Sequence, residues 1–375
     1  MLSFWEKESF LNYDIIIIGS GIVGLSAAIS IREKHPDKTV MILERGILPT
    51  GASTRNAGFT TFGGVSELLN DLKAMPQEDV FNLVVKRWEG LRMLRERLGD
   101  DTIEYKNLGG YEFVFNNESI EKKEVEQIND LLHPLFKAKV FSIDNSVINK
   151  FGFNKNFIKH CLVTPFEGQL HTGKMMKALL AMALKLGVEI KTGAEVLKIE
   201  TTNTAVEVLV SNPMFKNKIT FKAEQCIICT NAFTGTFFPD LDITPGRGQV
   251  LVTEPIHNLP FKGIFHFDGG FYYFRNIENR ILFGGGRNLD FEKEKTTTIA
   301  LNDTIQEKLD YYLKNLIIPK HPYKVEMRWS GIMAFGKEKT PIVKRIDERI
   351  IAGVRMNGIG VALGSMVGKE LAGMV

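Results

Sequence analysis

Apolar and polar positions follow two different periods along this chain, and the change of period marks its elements. Residues 13–18 (YDIIII) form an unbroken β-branched run, which predicts a strand buried on both faces within a parallel sheet. Glycines follow, and residues 22–34 carry the spacing of a helix that ends before His35-Pro36-Asp37. Residues 39–43 predict a second buried strand, which completes a βαβ unit of about thirty residues. Val80, Val84, Trp88, Leu91, Leu94 and Leu98 form a helical stripe stopped at Gly99. Helices are also expected over 118–132, 172–186 (with Gly187 as cap) and 304–316, and strands over 103–105, 111–115, 189–191, 206–209, 219–221 and 349–354. Residues 51–64 read as a long irregular connection, and 239–245 as a boundary. Beyond it, 249–253, 271–274 and 281–284 alternate, which predicts an antiparallel sheet with one open face. A glycine turn at 358–360 opens a final helix.

Composition narrows the classes. The chain has 375 residues, 44% hydrophobic and 24% charged, enough apolar residue for a sizeable core. A net charge of +3 is too small a surplus to argue for nucleic acid or an anionic membrane. Cys226 and Cys229 form a C-x-x-C, but within the strand-like run QCIICTNAF their side chains would point to opposite walls. No second such pair or histidine pair follows, so no metal site is expected, and Cys161 stands alone. The start lacks the basic flank and apolar core of a targeting segment, and no stretch spans a bilayer. A cytoplasmic protein with reduced thiols is the expectation.

The candidate chemistry begins at Gly19-Ser20-Gly21-Ile22-Val23-Gly24, a G-x-G-x-x-G placed between a buried strand and a helix. Gly19 permits the tight turn, Gly21 lets backbone approach a pyrophosphate, and Gly24 lets helix and strand pack closely. The helix N-terminus offers free N–H groups to phosphate. Glu44, at the end of the next strand and beside Arg45, is placed to accept hydrogen bonds from ribose hydroxyls. This fingerprint alone does not separate FAD from NAD. Gly51-Ala52-Ser53-Thr54-Arg55-Asn56-Ala57-Gly58-Phe59 adds small residues for close approach, a cation and hydrogen-bonding groups.

Taken in order, these motifs and those that follow resemble the FAD-dependent amine and amino-acid oxidoreductases that include D-amino-acid oxidase, glycine oxidase, sarcosine oxidase and gamma-glutamylputrescine oxidoreductase. The last of these branches is the nearest in its flavin-side loop. The resemblance runs over nearly the whole chain: Val196 at an adenine contact, Thr230-Asn231-Ala232 at a strand-end turn, and Pro245-Gly246-Arg247-Gly248-Gln249 crossing into a substrate domain. Tyr272-Tyr273-Phe274-Arg275, residues 281–285, Arg328-Trp329-Ser330-Gly331 and Met356-Asn357-Gly358-Ile359-Gly360-Val361 complete it. It implies an α/β fold: a Rossmann-like FAD-binding domain with a parallel sheet (1–75, 160–238 and 336–375) and an inserted α+β substrate domain on a largely antiparallel sheet (76–159 and 239–335). It also implies non-covalent FAD, hydride transfer from a C–H next to nitrogen, an imine product, and oxygen or another carrier as electron acceptor.

Two departures shape the expected substrate. Where relatives hold an arginine that grips a substrate carboxylate, Met356 stands, with Arg355 one position earlier; Arg55, Arg275 and Arg287 are further candidates for substrate positioning, and Tyr272 for an aromatic wall. Residues 281–286 also lack the lysine that activates oxygen in sarcosine oxidase. His171, before a helix, reads either as a substrate contact or as a cap. Two alternatives stay open: a flavin-dependent 2-hydroxy-acid dehydrogenase, and a flavin-bearing subunit with mainly an assembly role.

Overall fold

In the computed structural model, which describes residues 2–212 and 217–375, the chain builds two eight-stranded sheets. The first runs Ile342–Arg345, Ile350–Val354, Asn217–Ile228, Asn12–Ile18, Val40–Leu43, Glu189–Lys191, with Val206–Asn212 and Val196–Thr201 added as an antiparallel flap. Asn12–Ile18 is parallel to both neighbours, with Ile15 opposite Val40 on one side and Gln225 on the other. Its isoleucines are buried on both faces, as the unbroken apolar run requires. Helices Ile22–Lys34, Gln77–Leu98 and Gly360–Ala372 pack together beside this sheet. Gly364 lies against Ile22 and Gly368 against Ser26, where any side chain would collide, so the first and last of these helices approach at backbone distance.

The second sheet runs Val325–Phe335, Thr244–Thr253, Arg280–Gly285, Tyr272–Ile277, Ile264–Phe267, Gly110–Phe115, Ile158–Thr164, Ser142–Ile143. It is antiparallel except where Ile264–Phe267 meets Gly110–Phe115. Alternation sorts its side chains. Phe113, Phe265, Phe267, Tyr272, Phe274 and Phe283 fill an aromatic core with helix Asp303–Tyr312. Glu112, His266, Tyr273 and Arg275 take the opposite face.

Several expectations shift. Residues 100–103 form a helical turn instead of the strand expected at 103–105, because Asp100 and Asp101 open it and Glu104 closes it in a left-handed conformation. The helix expected over 118–132 runs Lys122–Phe136, started by a capping box between Glu121 and Glu124. The connection at 51–64 contains a helical turn, Ala52–Arg55, and a short strand, Phe59–Thr60, that pairs with Gly168–Gln169. The domain cut at residue 160 falls inside Ile158–Thr164 of the second sheet, while Gln77–Leu98 packs on Gly360–Ala372 beside the first. Cys226 and Cys229 lie in different cores on opposite sides of the first sheet, and burial pushes both thiols up. No helix among the described residues is long and apolar enough to cross a membrane.

Candidate active site

One continuous cleft of about 970 Å³ runs from the strand ends of the first sheet to the open face of the second. At one end lies the glycine turn. Gly19, Gly21, Ile22 and Val23 line the cleft, while Ser20 and Gly24 stand behind it. A side chain at Gly24 would strike the Gly19 carbonyl, so its role is close packing. Helix Ile22–Lys34 starts at Gly21 with no side-chain cap of its own, and Ser53 Oγ accepts the Ile22 N–H at 3.0 Å. Glu44 Oε2 accepts from the Ser20 N–H at 3.0 Å and hydroxyl at 2.7 Å, and Oε1 from the Gly46 N–H at 2.8 Å. Oε1, with a single donor, retains a lone pair for a ribose. The Arg45 guanidinium stacks 4.3 Å over Phe233, and both line the cleft beside Val196, Thr230 and Asn231. Ala232 does not: it is packed with Ile332 and Ala334.

The loop 51–59 forms the middle wall. Gly51, Ala52, Ser53, Arg55, Asn56, Ala57, Gly58 and Phe59 line it, and Thr54 turns away to donate to the Pro49 carbonyl. Arg55 donates to the carbonyls of Ser330 (2.7 Å) and Thr50 (3.1 Å), and Trp329 Nε1 donates to the Arg55 carbonyl. Arg55 therefore ties the loop to the second sheet, with its stem against Gly331. Opposite lie Met356, Asn357, Gly358, Ile359, Gly360 and Val361, where a second uncapped helix N-terminus opens on the cleft. Asn357 and Gly358 turn the backbone there through positive φ.

These walls fit FAD. Two helix N-termini, neither capped by its own N-cap residue and the first with only its Ile22 N–H taken by Ser53, give N–H donors at separate points, suited to a pyrophosphate and to the electron-rich edge of a flavin ring. A carboxylate at Glu44 supplies a ribose acceptor, and glycine-rich backbone lets an extended ligand lie close.

The substrate candidates separate. Tyr272 is in the aromatic core, 1% exposed, with ring centroids 5.0 Å from both Phe267 and Tyr312. Its neighbour Tyr273 faces the cleft, because adjacent strand residues alternate. Burial pushes the Tyr273 phenol up to about 12, so it stays protonated. Arg275 is buried and donates to the carbonyls of Gly58 and Leu170, which makes it a brace between loops. Burial pulls it down to about 10. Arg355 is locked to Asp242 (2.7 Å) and the Thr340 carbonyl (2.9 Å), away from the cleft. Arg287 alone of these lines the substrate end, held between Phe335 (4.0 Å) and Phe291 (4.8 Å). Such stacking fixes the guanidinium plane while leaving its N–H edges available. His171 caps helix Thr172–Lys185 by accepting from the Lys174 N–H.

Other cleft residues had no motif to announce them. Thr61, Glu67, Arg87, His266 and Lys339 line the inner end. Glu67 pairs with the buried Arg87 at 3.0 Å, and Lys339 pairs with the buried Asp71. Burial works to push Glu67 up, but the Arg87 and Lys339 charges outweigh it and hold the carboxyl below its ordinary range. Burial pushes Glu167, which accepts from Thr61 Oγ1 and the Phe62 N–H, up to about 7. The only trace of His266 in the sequence is a polar residue within the apolar run IFHF.

Comparison with known proteins agrees with this geometry. The family description "FAD dependent oxidoreductase" matches residues 14–374. A probable oxidoreductase, OrdL, of Haemophilus influenzae is 23% identical over 96% of this chain and 82% of its own length. Gamma-glutamylputrescine oxidoreductase of Escherichia coli is 24% identical, over 96% and 83%. The crystal structure of L-proline dehydrogenase from P. horikoshii superposes with a TM-score of 0.78 at 16% identity, over 97% of this chain and 93% of that one. The chain thus belongs to the FAD dependent oxidoreductase family.

Proposed function

We propose that this enzyme oxidises the C–H bond next to the nitrogen of an amine or amino acid, giving an imine that water then hydrolyses. The carrying observation is the charge arrangement of the substrate end: Glu67, held ionised by Arg87 and Lys339, lines the inner end with Glu112 and Glu167 buried behind it, and Arg287 stands at the other. A cationic nitrogen complements the first and a carboxylate the second, whereas a 2-hydroxy acid brings only the anion. Relatives named for an amine and an imino acid support the same choice. Bound FAD supplies the two-electron acceptor. The chain's own residues orient the substrate: Arg287 through a paired hydrogen bond to a carboxylate, Tyr273 through ring contact and its phenol, Met333 and Met356 through apolar walls.

In this reading Gly19 to Val23, Glu44, Arg45, the loop 51–59, Val196, Thr230, Asn231, Gly331 and residues 356–361 hold the cofactor without a covalent bond. The loop 51–59 contains neither cysteine nor histidine. The chain divides into a cofactor unit on the first sheet and a substrate unit on the second. Its electron acceptor is a carrier other than oxygen, since 281–286 lacks a lysine and Leu282 packs with Ala57 and Val250. The free, buried thiols suit the cytoplasm. The test is anaerobic mixing of the yellow protein with amines, D- and L-amino acids, N-methyl amino acids and 2-hydroxy acids, followed by timed reoxidation in air. Bleaching by nitrogen substrates with slow reoxidation is expected. Bleaching by hydroxy acids alone overturns the proposal.

A further inference from the structure

We infer that His266 is the proton acceptor for the substrate nitrogen, an inference that rests on the amine reading above. His266 lies on strand Ile264–Phe267, directly opposite Tyr273 on one neighbouring strand and Glu112 on the other. All three side chains share the face turned towards the cleft, and both His266 and Tyr273 line it. The imidazole Nδ1 is buried without a hydrogen-bond partner among the described residues. That is unusual for a buried polar atom and leaves the ring free of a structural duty.

Charged groups surround the ring on every side. A methyl group built on Gly64 would sit 2.8 Å from both His266 Nε2 and Glu112 Oε2, so the ring and the carboxylate flank one backbone position. Glu112 is committed to the first turn of helix Val65–Ala74, accepting from the N–H groups of Val65 (2.7 Å) and Ser66 (3.1 Å). Glu167 approaches from the segment before Gly168–Gln169, Glu67 and Asp71 from helix Val65–Ala74, Arg87 from helix Gln77–Leu98 and Lys339 from the loop after Val325–Phe335. Four carboxyl groups (Glu67, Asp71, Glu112, Glu167) thus face two fixed cations (Arg87, Lys339).

The step is simple to balance. A substrate ammonium has no lone pair with which to expel hydride from the neighbouring carbon. One N–H bond of the ammonium breaks, one N–H bond forms on the imidazole, and the electron pair stays on the substrate nitrogen. No electrons are exchanged in this step, and the imidazolium remains beside Glu112. Orientation by the adjacent Tyr273 ring directs the nitrogen to this wall.

The experiment uses the FAD-loaded enzyme, a reducing amine from the panel, and stopped-flow reduction from pH 5 to 10. In the unaltered enzyme the rate should climb with pH as one group loses its proton, then level off. His266→Gln should lose that plateau, with reduction about a hundredfold slower at neutral pH and rising until the amine itself deprotonates. Added imidazole should restore part of the rate. His266→Asn is the second variant, and FAD content with the thermal midpoint establishes that each is folded. A folded His266→Gln with the unaltered rate and profile overturns the inference while leaving the amine reading intact. An unaltered enzyme that no amine reduces overturns both.

Discussion

Ser20 and Glu44 are joined twice, through the backbone N–H and the hydroxyl of Ser20, both donated to Glu44 Oε2. The carboxylate is therefore oriented before any ligand arrives, with Oε1 fixed by Gly46. Glu44→Ala removes that orientation together with the ribose acceptor. Charge-assisted hydrogen bonds contribute about 1.5–3 kcal/mol each, so FAD affinity should fall at least tenfold. Titration of apoprotein with FAD checks this; unchanged affinity would remove Glu44 from the ribose site.

Tyr272→Phe and Tyr273→Phe should behave oppositely. The Tyr272 hydroxyl is buried without a partner among the described residues, so its removal should leave stability unchanged or raise it by up to about 1 kcal/mol. Flavin reduction should not change. Tyr273→Phe should slow reduction or weaken substrate binding without altering the unfolding midpoint. A substrate effect confined to Tyr272→Phe would reverse the assignment of faces.

Arg287 and Arg355 form a second contrasting pair. Arg287→Ala should weaken binding of carboxylate-bearing substrates about tenfold or more, and leave simple amines unaffected. Arg355→Ala should cost about 2 kcal/mol of stability, because the Thr340 and Asp242 carbonyls lose their donor. Chemical denaturation and steady-state kinetics on both variants decide between these roles.

Glu167 gives a pH dependence with a defined sign. Its folded value, about 7, lies above the ordinary 4.5, so the folded state holds a proton that the unfolded chain releases. Stability should therefore fall as pH rises from about 4.5 through 7, by about 3 kcal/mol in total. Glu167→Gln keeps an acceptor for Thr61 and Phe62 and removes the titration. The stability difference between variant and parent should grow in the variant's favour over that window and stay level above it. A difference independent of pH would exclude Glu167 as the titrating group.

The elements that carry the cofactor were legible because their signals are local. The run at 13–18, the turn at 19–24 and Glu44 lie within one βαβ unit, and each has a single physical purpose. The substrate end was legible only in part. Tyr272 and Tyr273 are both aromatic, and only the register of Tyr272–Ile277 against its neighbours decides which one reaches the cleft. Arg275, Arg287 and Arg355 are one residue type in three environments set by residues as distant as Gly58, Phe335 and Asp242. Glu67, Arg87, His266 and Lys339 come from four separate segments and meet only in the folded chain.

The strand Asn12–Ile18 takes one parallel neighbour from Val40–Leu43 and the other from Asn217–Ile228, which in turn pairs with Ile350–Val354. During synthesis, the first strand therefore leaves the ribosome some two hundred residues before its second partner exists. Helix Gly360–Ala372, which contributes to both the cleft and the packing against Ile22–Lys34, emerges later still. A nascent chain stalled before residue 350 should hold strand Asn217–Ile228 without its partner Ile350–Val354 and fail to retain FAD. Cofactor capture is thereby tied to the emergence of residues 350–372, and free FAD at that moment should raise the yield of correctly assembled protein.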